Sequence, residues 1–191
     1  GGSEVVGTNG PVEVRCQEFV YRASGEGTDW AEAAYLGGVE VRSASGMQLT
    51  CQELRASVDP DSNRVQRMVA DRSVVMVQED AKGRRTARGD QAVYTAVGEE
   101  LRLLGEHGVA MEWGSATETN RARGRSLRYD GTRDRLELIG EAELVSVRGR
   151  LAGERLWVNP MNGLVSASGM WKIRFPAREL RDRVPLEGGR R

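Results

Sequence analysis

A degenerate unit of roughly 30 to 40 residues, the length range of stacked structural repeats, recurs five times along this chain. The copies begin at Cys16-Gln-Glu-Phe-Val-Tyr21, Cys51-Gln-Glu-Leu-Arg-Ala56, Gly89-Asp-Gln-Ala-Val-Tyr94, Gly124-Arg-Ser-Leu-Arg-Tyr129 and Gly153-Glu-Arg-Leu-Trp-Val158. Each opens with a small residue and sets apolar side chains three and five positions later, at Phe19/Tyr21, Leu54/Ala56, Ala92/Tyr94, Leu127/Tyr129 and Leu156/Val158. Residues two apart share one face of a strand, so every copy predicts a strand with one apolar face.

A polar turn follows each opening strand: Ser24-Gly-Glu-Gly27, Asp59-Pro-Asp-Ser-Asn63, Ala96-Val-Gly-Glu99, Asp130-Gly-Thr-Arg-Asp134 and Asn159-Pro-Met-Asn-Gly163. These residues tolerate or preset turn dihedrals. A second alternating run comes next, as in Leu101 to Met111 and Leu136 to Val145. Thr28 to Tyr35 contains good helix formers, yet it aligns with the Leu101–Leu104 strand of the third copy. Repeat position outweighs a weak intrinsic preference, and the segment is assigned as strand. The polar stretches Glu79–Arg85 and Gly114–Arg123 lack apolar alternation and are assigned as loops between rungs.

The chain has 191 residues, 39% hydrophobic but only 5% aromatic, with 24 glycines. A compact globule draws on more large side chains, whereas a thin sheet stack needs one layer of them. The expected fold is therefore all-β, an elongated, solenoid-like stack of repeated antiparallel strand pairs. No composition shift marks a boundary before about Phe175. Residues 1–11 read as an amino-terminal extension, 12–175 as the β domain, and the charged segment from Pro176 to Arg191 as a flexible tail or short helix.

One apolar interior is expected, lined by Phe19, Tyr21, Val39, Val41, Leu54, Val58, Val74, Met76, Tyr94, Leu103, Val109, Met111, Leu127, Tyr129, Leu138, Leu144, Leu156 and Val158. These side chains either fill a core or, where the stack does not close, line a groove for acyl chains. Arginines at the rim would then meet phosphates.

Cys16 and Cys51 occupy the same place in consecutive copies. Adjacent strands lie about 4.8 Å apart, within the range a disulfide spans, so a bridge is one expectation. The later copies have Gly89, Gly124 and Gly153 there, so the alternative is a slot that demands a small residue.

Acidic and basic residues balance at 28 each, which leaves no global field to recruit nucleic acid. All basic residues are arginine except Lys82 and Lys172; genome composition and phosphate recognition both fit that bias. No run reaches the roughly 20 apolar residues of a membrane-spanning helix. The start, Gly1-Gly-Ser3, reads as a trimmed terminus, so a signal segment or anchor upstream stays open.

Catalytic signatures are absent. His107 is the one histidine, placed in a bend and read as structural or solvent-facing, so neither a histidine metal site nor a Ser-His-Asp triad is available. The cysteines lack CxxC spacing, and no phosphate-binding glycine loop appears. No enzyme activity, metal or cofactor is expected. Trp30, Trp113, Trp157 and Trp171 do not recur at one repeat position, which weighs against a sugar-stacking platform.

The unit small-x-x-apolar-x-Tyr, Asp/Gly turn, alternating run resembles the OstA-like domain shared by LptA, LptC and the amino-terminal part of LptD in lipopolysaccharide transport. The matching segments are Leu49–Val65, Ala70–Val77, Ala87–Tyr94 and Leu127–Gly140, and the resemblance spans about Val12 to Phe175. Where such domains start a strand with Gly or Ala, this chain has Cys16 and Cys51. The resemblance implies a periplasmic β-jellyroll, open at its ends, that passes lipid A along its interior without catalysis. It also implies lipopolysaccharide and other OstA-like domains as partners, with head-to-tail assembly through open sheet edges. Two other uses of such a fold remain open: a scaffold that assembles edge to edge without lipid, and a carbohydrate-binding β-solenoid.

Overall fold

Each long alternating run in the sequence carries a small or bend-forming residue near its middle, and that arrangement shapes the molecule. The structure, a computed structural model, describes residues 3–7, 10–23, 30–62, 64–80, 83–114, 118–133, 135–159 and 164–175. They form twelve strands: β1 (Ser3–Gly7), β2 (Gly10–Arg15), β3 (Glu18–Arg22), β4 (Ala31–Ser43), β5 (Met47–Asp59), β6 (Arg64–Asp80), β7 (Gly83–Thr95), β8 (Glu100–Gly114), β9 (Thr119–Asp130), β10 (Arg135–Ser146), β11 (Gly149–Val158) and β12 (Val165–Arg174). All belong to one antiparallel sheet in the order β1-β2-β4-β5-β6-β7-β8-β9-β10-β11-β12. β2 and β3 lie end to end along β4, where Val12–Arg15 pair Ser43–Glu40 and Glu18–Arg22 pair Leu36–Glu32. The fold is an all-β, open jellyroll-like stack of antiparallel strand pairs.

The ladder breaks register near the middle of nearly every pairing: between Leu36 and Val39, Thr50 and Glu53, Asp71 and Val74, Arg88 and Gln91, Leu104 and Val109, Ile139 and Ala142, and Gly153 and Arg155. Bulges bend strands and increase their twist. Aligned in a row across the sheet, they fold it along a crease, so its apolar face turns inward on both sides. The even strands supply left-handed backbone at the crease: Gly37 and Gly38 in β4, Arg72 and Ser73 in β6, Gly108 in β8, Gly140 and Glu141 in β10, and Gly169 in β12.

The odd strands supply the small residues. A Cβ on Gly89 would lie 2.8 Å from the Leu104 carbonyl oxygen and 2.9 Å from Leu103 Cγ. Backbone of the neighbouring bulge therefore occupies the space a side chain would need. This accounts for the glycine that opens the third repeat.

The same geometry corrects the disulfide expectation. A repeat is a strand pair, so equivalent positions stand two strands apart. Arg15 pairs Glu40 while Val39 pairs Cys51, which places β4 between the two cysteines. Two ladder steps are about 9.6 Å, beyond the roughly 6.8 Å limit of a disulfide, and both thiols are free.

Two other expectations change. Within the segment 1–11 read as an extension, Ser3–Gly7 forms β1 and Gly10 and Pro11 open β2, so these residues join the sheet, and β1 comes back to meet β6. The segments read as inter-rung loops are largely hairpin arms: β6 runs to Asp80, β7 starts at Gly83, β8 ends at Gly114 and β9 starts at Thr119. Their alternation is invisible because the inward register carries Arg85 in the first segment and no apolar residue but Ala122 in the second, where Arg121 and Arg123 take the outward side. The strand assignment of Thr28–Tyr35 holds for Ala31–Tyr35; Thr28 and Asp29 lie outside the described residues, as do the Ser24–Gly27 turn and the tail from Pro176.

Inward residues form one core, with Tyr35, Leu103, Leu138, Leu156, Val39, Val74 and Val158 almost wholly buried. The outer face is laced by arginine–carboxylate pairs. Arg55 and Arg72 share Glu53 (2.5 and 3.1 Å), Arg102 and Arg128 share Glu100, and Arg123 and Arg150 share the buried Glu143. Exposed pairs contribute little individually. Their stems cover the ribbon, which explains so charged a surface on so thin a sheet.

Candidate functional site

Side-chain size along a single inward row decides where the interior is solid and where it is hollow. Following the ladder, Tyr35, Leu54, Ala70, Ala92, Leu103, Leu127, Leu138 and Leu156 stand opposite one another in turn across β4 to β11. Four leucines fill the carboxy-terminal half. The alanines at 70 and 92, with Ala56 beside them, leave the amino-terminal half under-filled, and a cavity of about 360 Å³ lies there. That volume falls within the range of small-molecule sites.

The walls are apolar: Val12, Val14, Tyr35, Val41, Leu49, Leu54, Val65, Met68, Met76, Tyr94, Leu101 and Tyr129. Polar groups stand at the two strand-tip ends. At one end Ser43, Ser45 and Gln78 meet, with the serine hydroxyls 2.8 Å apart and Gln78 Nε2 donating to the Ser45 carbonyl at 3.0 Å. At the other end stand Glu99 and Gly131, the Gly131 N–H donating to the Glu99 carbonyl at 3.1 Å. Glu100 and Asp130 flank that end. The Arg102 guanidinium holds the Glu100 carboxyl below its usual value, and the Thr132 hydroxyl does the same for Asp130.

Of the interior residues expected from the sequence, Val41, Leu54, Met76, Tyr94 and Tyr129 line this cavity. Val39, Val74, Leu103, Val109, Met111, Leu127, Leu138, Leu144, Leu156 and Val158, with Val58, are buried in the surrounding core. Phe19 and Tyr21 keep the inward register on β3 but stay 47% and 55% exposed, and Phe19 packs on Tyr35 with ring centroids 5.0 Å apart. Sequence reading missed Val12 and Val14, which sit on β2, the walls Tyr35, Leu49, Val65, Met68 and Leu101, and the polar ends. Nothing in the repeat marks Ser43, Ser45 or Gln78, because they stand outside its apolar positions.

Both flanks of the sheet expose apolar side chains. β12 pairs only with β11 among the described residues, and it shows Trp171 and Ile173 on the side of Leu151, with Phe175 following. β3 shows Phe19 and Tyr21 on the opposite flank. Burial pushes the Cys51 thiol up to about 11. His107 is exposed on the β8 bulge. Among the described residues no cluster of three metal-ligating side chains occurs, and no helix is long and apolar enough to cross a membrane.

No family model matches the chain, and no curated protein matches it. Among solved structures it is similar to the crystal structure of LptH, the LptA homologous periplasmic component of the conserved lipopolysaccharide transport device from Pseudomonas aeruginosa. The identity is 18% and the TM-score 0.40, over 84% of this chain and 83% of that one.

Proposed function

We propose that this chain is a non-catalytic periplasmic carrier that shelters the acyl chains of a lipopolysaccharide-like amphiphile and hands it on through its open sheet edges. The single observation that carries the reading is the apolar cavity opened by Ala56, Ala70 and Ala92. Apolar walls remove hydrocarbon from water at roughly 0.8 kcal/mol per CH₂, which supplies affinity without any directional chemistry. Serines and an amide at one end, and a carboxylate at the other, suit a ligand whose polar part stays outside. The unit's likeness to OstA-like sequences points the same way.

The flanks supply the route onward. β12 has a ladder side that no described strand pairs and exposed apolar residues beside it, and unpaired edges template another strand. Docking of the β12 flank on the β3 flank of a second copy, or of another OstA-like domain, would continue the interior from one molecule to the next.

Photocrosslinking amino acids at Met68, Tyr94 and Tyr129 test the reading in a lipopolysaccharide-producing host. Capture of lipopolysaccharide at these sites, but not at the outward Arg55 and Arg102, is expected. Equal labelling inside and out, or none, would count against it. A scaffold that carries no lipid would give edge crosslinks between copies and no lipid adduct.

A further inference from the structure

A second hollow lies on the opposite face of the sheet. Val75 and Val77 of β6, Arg84, Thr86 and Arg88 of β7, and Glu112 of β8 line a groove of about 350 Å³. Their register shows which face this is: Met76, Ala87 and Met111 pair across the same three strands and point into the core. The alternate residues therefore point outward, and the groove is separate from the interior cavity.

Two arginines of one strand, Arg84 and Arg88, share this groove with Thr86 between them. Elsewhere on the outer face Arg55, Arg72, Arg102, Arg128, Arg123, Arg150 and Arg155 are each bound to a carboxylate; arginines such as Arg64 and Arg67 are not, but they do not border this groove. Here neither Arg84 nor Arg88 has an ion-pair partner among the described residues. Glu79 stands opposite Arg84 in the ladder without binding it. Glu112, the carboxylate that lines the groove, is already engaged by Arg121 Nε at 3.1 Å. Two uncommitted guanidiniums thus flank the Thr86 hydroxyl above an apolar floor.

We propose that this groove is an anion site for a phosphomonoester group. Arg84 and Arg88 supply forked N–H donors that match phosphate oxygens, Thr86 supplies a hydroxyl donor, and Val75 and Val77 receive an adjoining apolar portion of the ligand. A phosphomonoester carries close to two charges near neutral pH, which suits two cations better than a singly charged carboxylate. The same chemistry occurs on a lipid headgroup and on a soluble phosphate.

The test separates these sources. The wild-type chain, R84Q/R88Q and R64Q are titrated with inorganic phosphate by NMR, and floated with phosphatidylcholine vesicles with and without phosphatidic acid. Arg64 sits at the other strand tips, so R64Q controls for the loss of an arginine remote from the groove, and circular dichroism checks that each variant folds. Saturable wild-type binding is expected, at least about tenfold weaker in R84Q/R88Q, unchanged in R64Q, and diminished by salt. Phosphate binding alone identifies a soluble ligand, and a phosphatidic acid requirement identifies a headgroup; either supports the site. Equal binding by R84Q/R88Q, or no saturable binding of either probe by the wild type, overturns it.

Discussion

Adding one methyl group to Gly89 tests whether the crease is held by close backbone approach. Gly89 has ordinary dihedrals, since it is not among the residues with positive φ, so an alanine there suffers only from lack of space. Its Cβ would meet the Leu104 carbonyl oxygen at 2.8 Å and Leu103 Cγ at 2.9 Å. Leu103 is completely buried, and the carbonyl belongs to the bulge itself, so neither can move freely. Overpacking of this kind costs about 1–3 kcal/mol, while reduced freedom of the unfolded chain returns about 0.4–1 kcal/mol. The expected net loss is about 1–2 kcal/mol, or roughly 0.5–1 M in the urea midpoint at a slope near 2 kcal/mol/M. The equivalent slots in later repeats are looser: the nearest atom to a Cβ lies at 3.3 Å for Gly124 and 3.4 Å for Gly153. Urea unfolding followed by circular dichroism should therefore rank G89A as most harmful and G153A as neutral or slightly stabilising. A neutral G89A, or equal losses at all three slots, would refute the argument.

Ser73 holds φ 56° in the β6 bulge where other strands place glycine; S73G should stabilise the protein by up to about 1 kcal/mol in the same assay, and a loss would contradict the strain. Iodoacetamide at pH 8 should modify the half-buried Cys16 in the native protein and leave Cys51 untouched, because burial keeps the Cys51 thiol protonated up to about 11; mass spectrometry showing Cys51 modified first would be the contrary result. That raised pKa favours the fold at neutral pH, an advantage lost as pH rises through about 11. Glu100, Asp130 and Asp59 have lowered pKa values, from the Arg102, Thr132 and Ser62 hydrogen bonds respectively. Their contribution is present above the ordinary carboxyl value and lost as pH falls below it. Tm should decline as the solution is acidified below about pH 4, less steeply in E100Q, and a flat acid limb would argue against these bonds.

Strand positions were readable because alternation and burial follow from the same two-residue period. Leu54, Leu127, Leu138 and Leu156 point inward as their spacing requires. The small residue opening each repeat was visible too, but the cause at Gly89 was not. It depends on a bulge in the partner strand, and a bulge need not show in sequence: β6 builds its own with Arg72 and Ser73, which carry no glycine signal. The ambiguity at Cys16 and Cys51 arose because a sequence period does not say how many strands it contains. β2 escaped notice because a single strand without its repeat partner leaves only Val12 and Val14 as a pattern. The cavity could not be read from apolar periodicity, which counts alanine and leucine alike; it follows from which strands face each other, and only the ladder order brings Ala70 beside Ala92.

Filling that gap is the most direct test of the central claim. A70L/A92L extends the leucine row into the 360 Å³ cavity, and up to about 0.8 kcal/mol per added CH₂ is available if the side chains fit without strain. Native mass spectrometry of protein expressed in a lipopolysaccharide-producing host should show a lipid adduct on the wild type and none on folded A70L/A92L. An undiminished adduct on the filled variant, or a wild type that never carries lipid, would contradict the account.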